Sequence, residues 1–288
     1  MSTVHQVGVN TWVWTSPLDD AWLRKLVPII AARGFDVVEL PVENPGDWDP
    51  REAKRLLVEH DLGASVVLVM PPGRELVDTD AATVSATQDY LRHCLDIAAE
   101  LGSPTLCGPA YASVGRTWRM TERQRAACVR EWRDHITPVL EHARDVGVTL
   151  GVEPLNRYET SLFNTVEQTL RALDGLPSCG VALDLYHQNI EERDIAAAIR
   201  AARSRVAHVQ VCANDRGTPG RDHFDWPELL SAIADAGYTG PLCIESFTAH
   251  NSSIATAASI WRPLATSQDA LAVDGLAFLK EVMAEVHY

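Results

Sequence analysis

Short apolar runs rich in Val, Ile and Leu alternate with longer amphipathic stretches along the whole chain, and no other feature constrains the fold so strongly. Strands buried on both faces read as continuous apolar runs, and parallel strands need crossovers long enough to hold a helix. Eight runs fit strands: Val7 to Trp12, Val37 to Pro41, Ala64 to Met70, Thr105 to Gly108, Thr149 to Glu153, Gly180 to Asp184, Val206 to Val211 and Leu242 to Glu245. Helical patterns follow them at Asp20 to Arg33, Asp49 to His60, Ala81 to Leu101, Thr121 to Val146, Thr165 to Asp174, Glu192 to Ala202, Trp226 to Ala236 and Gln268 to Val286. Eight strand–helix units in 288 residues predict an α/β protein with a single (β/α)8 TIM barrel, a fold of about 250 residues. With no Pro/Gly/Ser-rich linker, 1–288 reads as one domain. A doubly wound sheet alternates too, but no G-x-G-x-x-G follows the first strand and there is no P-loop.

Composition narrows the partners. The chain is 46% hydrophobic and 22% charged, enough to bury a large core. Its 25 Lys and Arg against 39 Asp and Glu give a net charge of −14, which repels a phosphate backbone and argues against nucleic acid. The six cysteines form no C-x-x-C pair and read as free thiols of a reducing compartment. No apolar stretch approaches the roughly 20 residues that span a bilayer, and no leader pattern opens the chain. The expectation is a cytoplasmic protein without membrane contact.

The ends of the later strands carry the chemistry. The fifth closes on Glu153, the sixth on Asp184 and the eighth on Glu245, while the seventh holds Gln210. Any one acidic strand end is readily a helix N-cap or a salt-bridge partner. Together they point to a cation, because a buried carboxylate is costly unless paired or metal-bound. Three carboxylates and an amide oxygen form an all-oxygen set that favours Mn²⁺ or Mg²⁺ over zinc. Long segments at Pro71 to Asp78, Tyr111 to Arg119, Asn214 to Asp225 and Thr248 to Pro263 follow strands, where a barrel carries its site. Trp14, Tyr111 and Phe247, with Trp12 and Trp118, lie at or beyond strand ends; core packing explains any one of them, and an apolar wall for a sugar's hydrogen-bearing face or for an aromatic group is the functional reading.

Four motifs carry a resemblance: Glu153-Pro154-Leu155-Asn156-Arg157-Tyr158-Glu159, Asp184-x-x-His187, Asn214-Asp215-Arg216-Gly217-x-Pro219-Gly220 and Glu245-Ser246-Phe247. With Gly34 to Leu40 and Ile260 to Pro263, the chain resembles the xylose-isomerase-like barrels of the sugar phosphate isomerase/epimerase group, especially the ketose 3-epimerases of D-tagatose and D-psicose. The resemblance makes Glu153, Asp184 and Glu245 metal ligands and places Glu159, His187 and Arg216 on the substrate's hydroxyls. It also implies one divalent ion (Mn²⁺, Mg²⁺ or Co²⁺) and a dimer or tetramer, for which the apolar Ile254 to Trp261 stretch is a covering segment. One position departs: the epimerases carry a metal-binding histidine where this chain has Gln210, as in the hydroxypyruvate isomerase branch. His208 lies one layer deeper on the same face.

The expected activity is metal-dependent epimerisation or isomerisation of a ketose or hydroxyketone through an enediolate, with Glu153 and Glu245 as the acid/base pair. A surface ion pair with Asp215 or Asp222 is the other reading of Arg216. An inosose dehydratase or C-glycoside-cleaving lyase would share the first proton transfer. A sugar-binding barrel without catalysis would lose Glu153 or Glu245. An abasic-site endonuclease would need a histidine cluster and a basic surface. The substrate is expected to be unphosphorylated, since apart from Asn214 to Gly220 no Gly-rich cradle follows the last strands.

Overall fold

The computed structural model describes residues 5–286; residues 1–4, where the leader reading begins, lie outside them. Eight strands close a parallel barrel in chain order: β1 Val7–Asn10, β2 Val37–Val42, β3 Gly63–Leu68, β4 Thr105–Gly108, β5 Thr149–Val152, β6 Cys179–Asp184, β7 Val206–Val211 and β8 Leu242–Ile244. The helices are α1 Asp20–Ala32, α2 Pro50–Glu59, α3 Ala81–Leu101, α4 Glu122–Val146, α5 Val166–Leu173, α6 Leu185–Glu191, α7 Ile195–Ala202, α8 Trp226–Asp235, α9 Ser252–Ala257 and α10 Gln268–Glu285. Because the strands are parallel, the segments after them gather at one mouth. No helix among the described residues is long and apolar enough to cross a membrane, and all six cysteines are free thiols.

Local chemistry sets the boundaries. Thr121 and Gln124 form a reciprocal capping box at the start of α4, and Thr165 and Gln168 do the same for α5. The first strand stops at Asn10, short of the expected Trp12. There the Asn10 side chain accepts from the Trp12 N–H at 2.8 Å and caps a single 3-10 turn, Thr11–Val13. Strands β5 and β8 end one residue before Glu153 and Glu245, which still bond back through their N–H groups to Gly108 and Val211, each at 3.0 Å. The helix expected at Glu192 to Ala202 is α7, which starts at Ile195, and a short helix not expected, α6, precedes it. The Thr248 to Pro263 segment, read as loop, contains α9.

A main core of strand outer faces and helix inner faces includes Val9, Leu40, Leu106, Val152, Leu183, Val211 and Trp132. A second apolar cluster sits at the mouth, where Trp12, Phe247, Ala255 and Ile260 meet Val67, Cys107 and Ala182. Much of the Ile254 to Trp261 stretch therefore covers its own barrel. Trp261 alone in it is a largely exposed large apolar side chain, at 75%.

Strand β7 carries the irregularity that matters for the site. Val181 pairs with Val206, but Ala182 pairs with His208 and Asp184 with Gln210, so Ala207 is an extra residue. A β-bulge of this kind reverses the facing of the later residues of its strand. Val206 packs against the outer core, whereas His208 and Gln210, which regular alternation would turn outward with it, reach inward to Glu39.

Candidate active site

Asp184 ends β6 and serves two partners. Its Oδ1 accepts from the Tyr186 N–H at 2.9 Å and caps α6, while its Oδ2 lies 2.6 Å from Arg216 Nη1 and 3.4 Å from His187 Nε2. The residue is a helix cap through one oxygen and an ion-pair partner in the mouth through the other. Glu245 stands beside it: Oε2 accepts from the same Arg216 Nη1 at 2.6 Å, and Oε1 accepts from Gln210 Nε2 at 2.7 Å. Glu153 Oε1 lies 3.5 Å from His187 Nε2. All six side chains are buried. The structure thus gathers Glu153, Asp184, His187, Gln210, Arg216 and Glu245 into one constellation.

Arg216 reaches this place through a strained turn. Its φ of 69° lies in the left-handed region, which costs a non-glycine residue about 1–2 kcal/mol. The turn is tied by Arg216 N–H to the Ala213 carbonyl (2.9 Å), Gly217 N–H to Asp215 Oδ1 (3.0 Å) and Ser246 Oγ to the Arg216 carbonyl (2.5 Å). The guanidinium also lies over the rings of Tyr186 and Phe247. The alternative of a surface ion pair is overturned: Asp215 pairs with Arg262, and Asp222 binds Gly220, Phe224 and Trp226.

His187 Nδ1 accepts from the Asn156 backbone N–H at 3.0 Å. Its Nε2 lies 3.1 Å from Arg216 Nη2 and 3.4 Å from Asp184 Oδ2, so the ring bridges the Asn156 backbone and the charged groups of the mouth. Burial holds the ring's pKa below its usual value, against the pull of Asp184 and Glu159. Asn156 also donates to Glu159 Oε1 at 2.7 Å, so Glu159 borders the site through Asn156.

Two aromatic expectations are corrected. Tyr111 is fully buried in the main core, its hydroxyl donating to the Glu153 carbonyl at 3.0 Å. It braces the end of β5 instead of forming a wall. Trp14 donates from Nε1 to Asp269 at 2.7 Å and packs against the outer core. Phe247 does face the mouth, stacked on Trp12 with ring centroids 5.4 Å apart.

The electrostatics are those of crowded acids. Burial, then Glu245 and Asp184, push the Glu153 carboxyl well above its ordinary range. Burial and Asp184 raise Glu245 likewise, in spite of Arg216. Three carboxylates against one guanidinium leave two negative charges when all are ionised, the charge a divalent ion neutralises. Gln210 Oε1 is buried without a hydrogen-bond partner, although buried polar atoms are rarely left so. Glu153, Asp184 and His187 place ligand atoms within 4.8 Å of one another. The carboxylate oxygens, completed by the free Gln210 amide oxygen, fit a hard divalent cation, with the His187 imidazole beside them.

Beneath this layer lies a residue the strand-end reasoning passed over. Glu39, inside β2, is fully buried and accepts from Asn10 Nδ2 (2.8 Å), Ser65 Oγ (3.3 Å), His208 Nε2 (2.6 Å) and Gln210 Nε2 (2.9 Å). Burial alone would raise its pKa, but His208, Gln210 and Asn10 together lower it. Its signal was an acid in the middle of the apolar run Val37–Val42.

Fold and site together define a (β/α)8 barrel with a buried, carboxylate-rich mouth whose donor set suits a divalent cation. The chain belongs to the xylose isomerase-like TIM barrel family, which matches residues 27–282. It is 31% identical over 285 residues to the ketose 3-epimerase of Arthrobacter globiformis, covering 98% of each chain. A solved L-ribulose 3-epimerase superposes with a TM-score of 0.91 at 26% identity, over 98% of this chain and 95% of the other. The D-allulose 3-epimerase of Methylomonas sp., solved in complex with D-allulose, gives 0.87 at 29% identity over 97% of both.

Proposed function

We propose that this isomerase-class barrel, working as one domain over 1–288, is a divalent-metal-dependent ketose 3-epimerase acting on unphosphorylated sugars. The observation that carries the reading is the meeting of Glu153 and Glu245 at one buried mouth with Asp184 and Gln210, from the ends of four consecutive strands. Glu153, Asp184, Gln210 and Glu245 would hold the ion, Mn²⁺ or Mg²⁺. Bound there, it supplies positive charge against the negative charge that develops on the sugar oxygens.

The chain's own residues do the rest. Glu153 enters from the β5 side and Glu245 from the β8 side, so their carboxylates address different faces of the reacting carbon. One takes the proton from C3 and the other returns it to the opposite face, which inverts the centre. Burial raises both pKa values, which suits groups that must give as well as take a proton near neutrality. His187 turns Nε2, beside Arg216, toward a substrate oxygen. Arg216 binds a neighbouring hydroxyl with its planar fork, and the Trp12–Phe247 pair covers the sugar's apolar face.

The test is a panel of D-allulose, D-tagatose, D-fructose and L-ribulose, with products identified by chromatography. The reading predicts C3 epimers, loss of activity with chelator and recovery with Mn²⁺. Glu245→Gln should lower kcat/KM by about 10²–10⁴-fold with an unchanged circular dichroism spectrum. Aldose products, a dehydrated product or full activity of Glu245→Gln would each overturn it.

A further inference from the structure

Gln210 Nε2 donates to two carboxylates, Glu39 at 2.9 Å and Glu245 at 2.7 Å, while its Oε1 has no partner. An amide presents a donor at one end and an acceptor at the other, so whatever fixes the nitrogen also aims the oxygen. Glu245 cannot be that anchor alone, since its other oxygen is engaged by Arg216 and it sits at the reacting centre. Glu39 is anchored from every side. Asn10 is committed to it because the Asn10 oxygen is taken by the Trp12 N–H. Ser65 stands level with it on β3, Asn10 on β1, and His208 binds its other oxygen from across the barrel.

We propose that Glu39 is a positioning residue that captures the Gln210 amide nitrogen and thereby turns Oε1 toward the carboxylate mouth as the neutral oxygen ligand of the cation. The proposal rests on the metal-dependent reading above. It also accounts for glutamine standing where a histidine would serve. Each offers a lone pair to the ion and an N–H to the acid behind it, the arrangement that orients metal-bound imidazoles. A carboxylate at position 210 has no N–H for Glu39. Adding a negative ligand there should therefore weaken the site, the reverse of what its charge alone would do.

The experiment is Mn²⁺ titration of the chelator-treated full chain, following the paramagnetic resonance signal of free Mn²⁺, with melting curves of the metal-free proteins beside it. Glu39→Gln and Gln210→Glu should each weaken Mn²⁺ binding about 10–100-fold, and Gln210→His should stay within a few-fold of wild type. The double variant Glu39→Gln/Gln210→Glu exchanges amide and acid and should recover at least tenfold over Gln210→Glu alone. A merely structural Glu39 would lower the melting temperature of Glu39→Gln and leave the Mn²⁺ affinity of the folded protein unchanged, which overturns the proposal. So does a Gln210→Glu variant that binds as tightly as wild type, a comparison that decides the matter if Glu39→Gln does not fold. If wild type binds no Mn²⁺ at all, the metal-dependent reading itself falls.

Discussion

Single side chains in this mouth carry two duties, and that governs how the site responds to pH. Asp184 spends one oxygen on the α6 cap and offers the other to the site. Glu153 and Glu245, raised by burial and by their acidic neighbours, hold protons at a pH where an ordinary carboxyl has lost them. A cation needs the carboxylate form, so binding must expel those protons and apparent affinity must rise with pH. Stability of the cation-free fold runs the other way. Groups with raised folded pKa values make the cation-free fold less stable as pH climbs from the ordinary carboxyl range toward those values. Isothermal calorimetry of Mn²⁺ binding in buffers of different ionisation heat should show net proton release, and none at any pH above the ordinary carboxyl range would contradict it. The acids at the strand ends were legible in sequence because each closes an apolar run. Glu39 was not, because one acid within a strand says nothing about which donors converge on it from β1, β3 and β7.

At the level of elements, alternation revealed the strands but not the devices that aim them. The Ala207 bulge is invisible to periodicity, since Val206 to Val211 is an ordinary apolar run with one His and one Gln. Helix α6 was missed because it spans only seven residues and starts directly at Asp184, with no loop before it. Helix α9 lies in a segment whose packing against Trp12 and Phe247 is decided by tertiary contact. Gly108, at the end of β4, has a φ of 140°, and a Cβ there would lie 2.7 Å from the Leu68 carbonyl oxygen. Its own carbonyl accepts the Glu153 N–H. Gly108→Ala is therefore expected to destabilise the protein by about 2–4 kcal/mol, read as a lower urea midpoint with unchanged slope. A variant as stable as wild type would show that β4 can relax without cost.

For the whole molecule, the closed barrel was the most legible prediction, because the rule that parallel strands need crossovers leaves few ways to arrange eight strand–helix units. The mouth was less so, since the apolar segment expected to cover a neighbour instead places Ala255 and Ile260 on its own Trp12 and Phe247. What that segment still shows to solvent is Trp261. Association through this rim into a dimer or tetramer is the expectation we retain, read by light scattering after size exclusion; a monomer at micromolar concentration would contradict it. The central claim is proton exchange at one carbon of a ketose by two acids across a buried mouth. It is tested most directly by incubating the Mn²⁺-loaded protein with D-allulose in D₂O and following the sugar by NMR. Deuterium is expected at C3 of both D-allulose and its C3 epimer, with C1 retaining its protons. Deuterium at C1, or no incorporation while the sugar is converted, would contradict it.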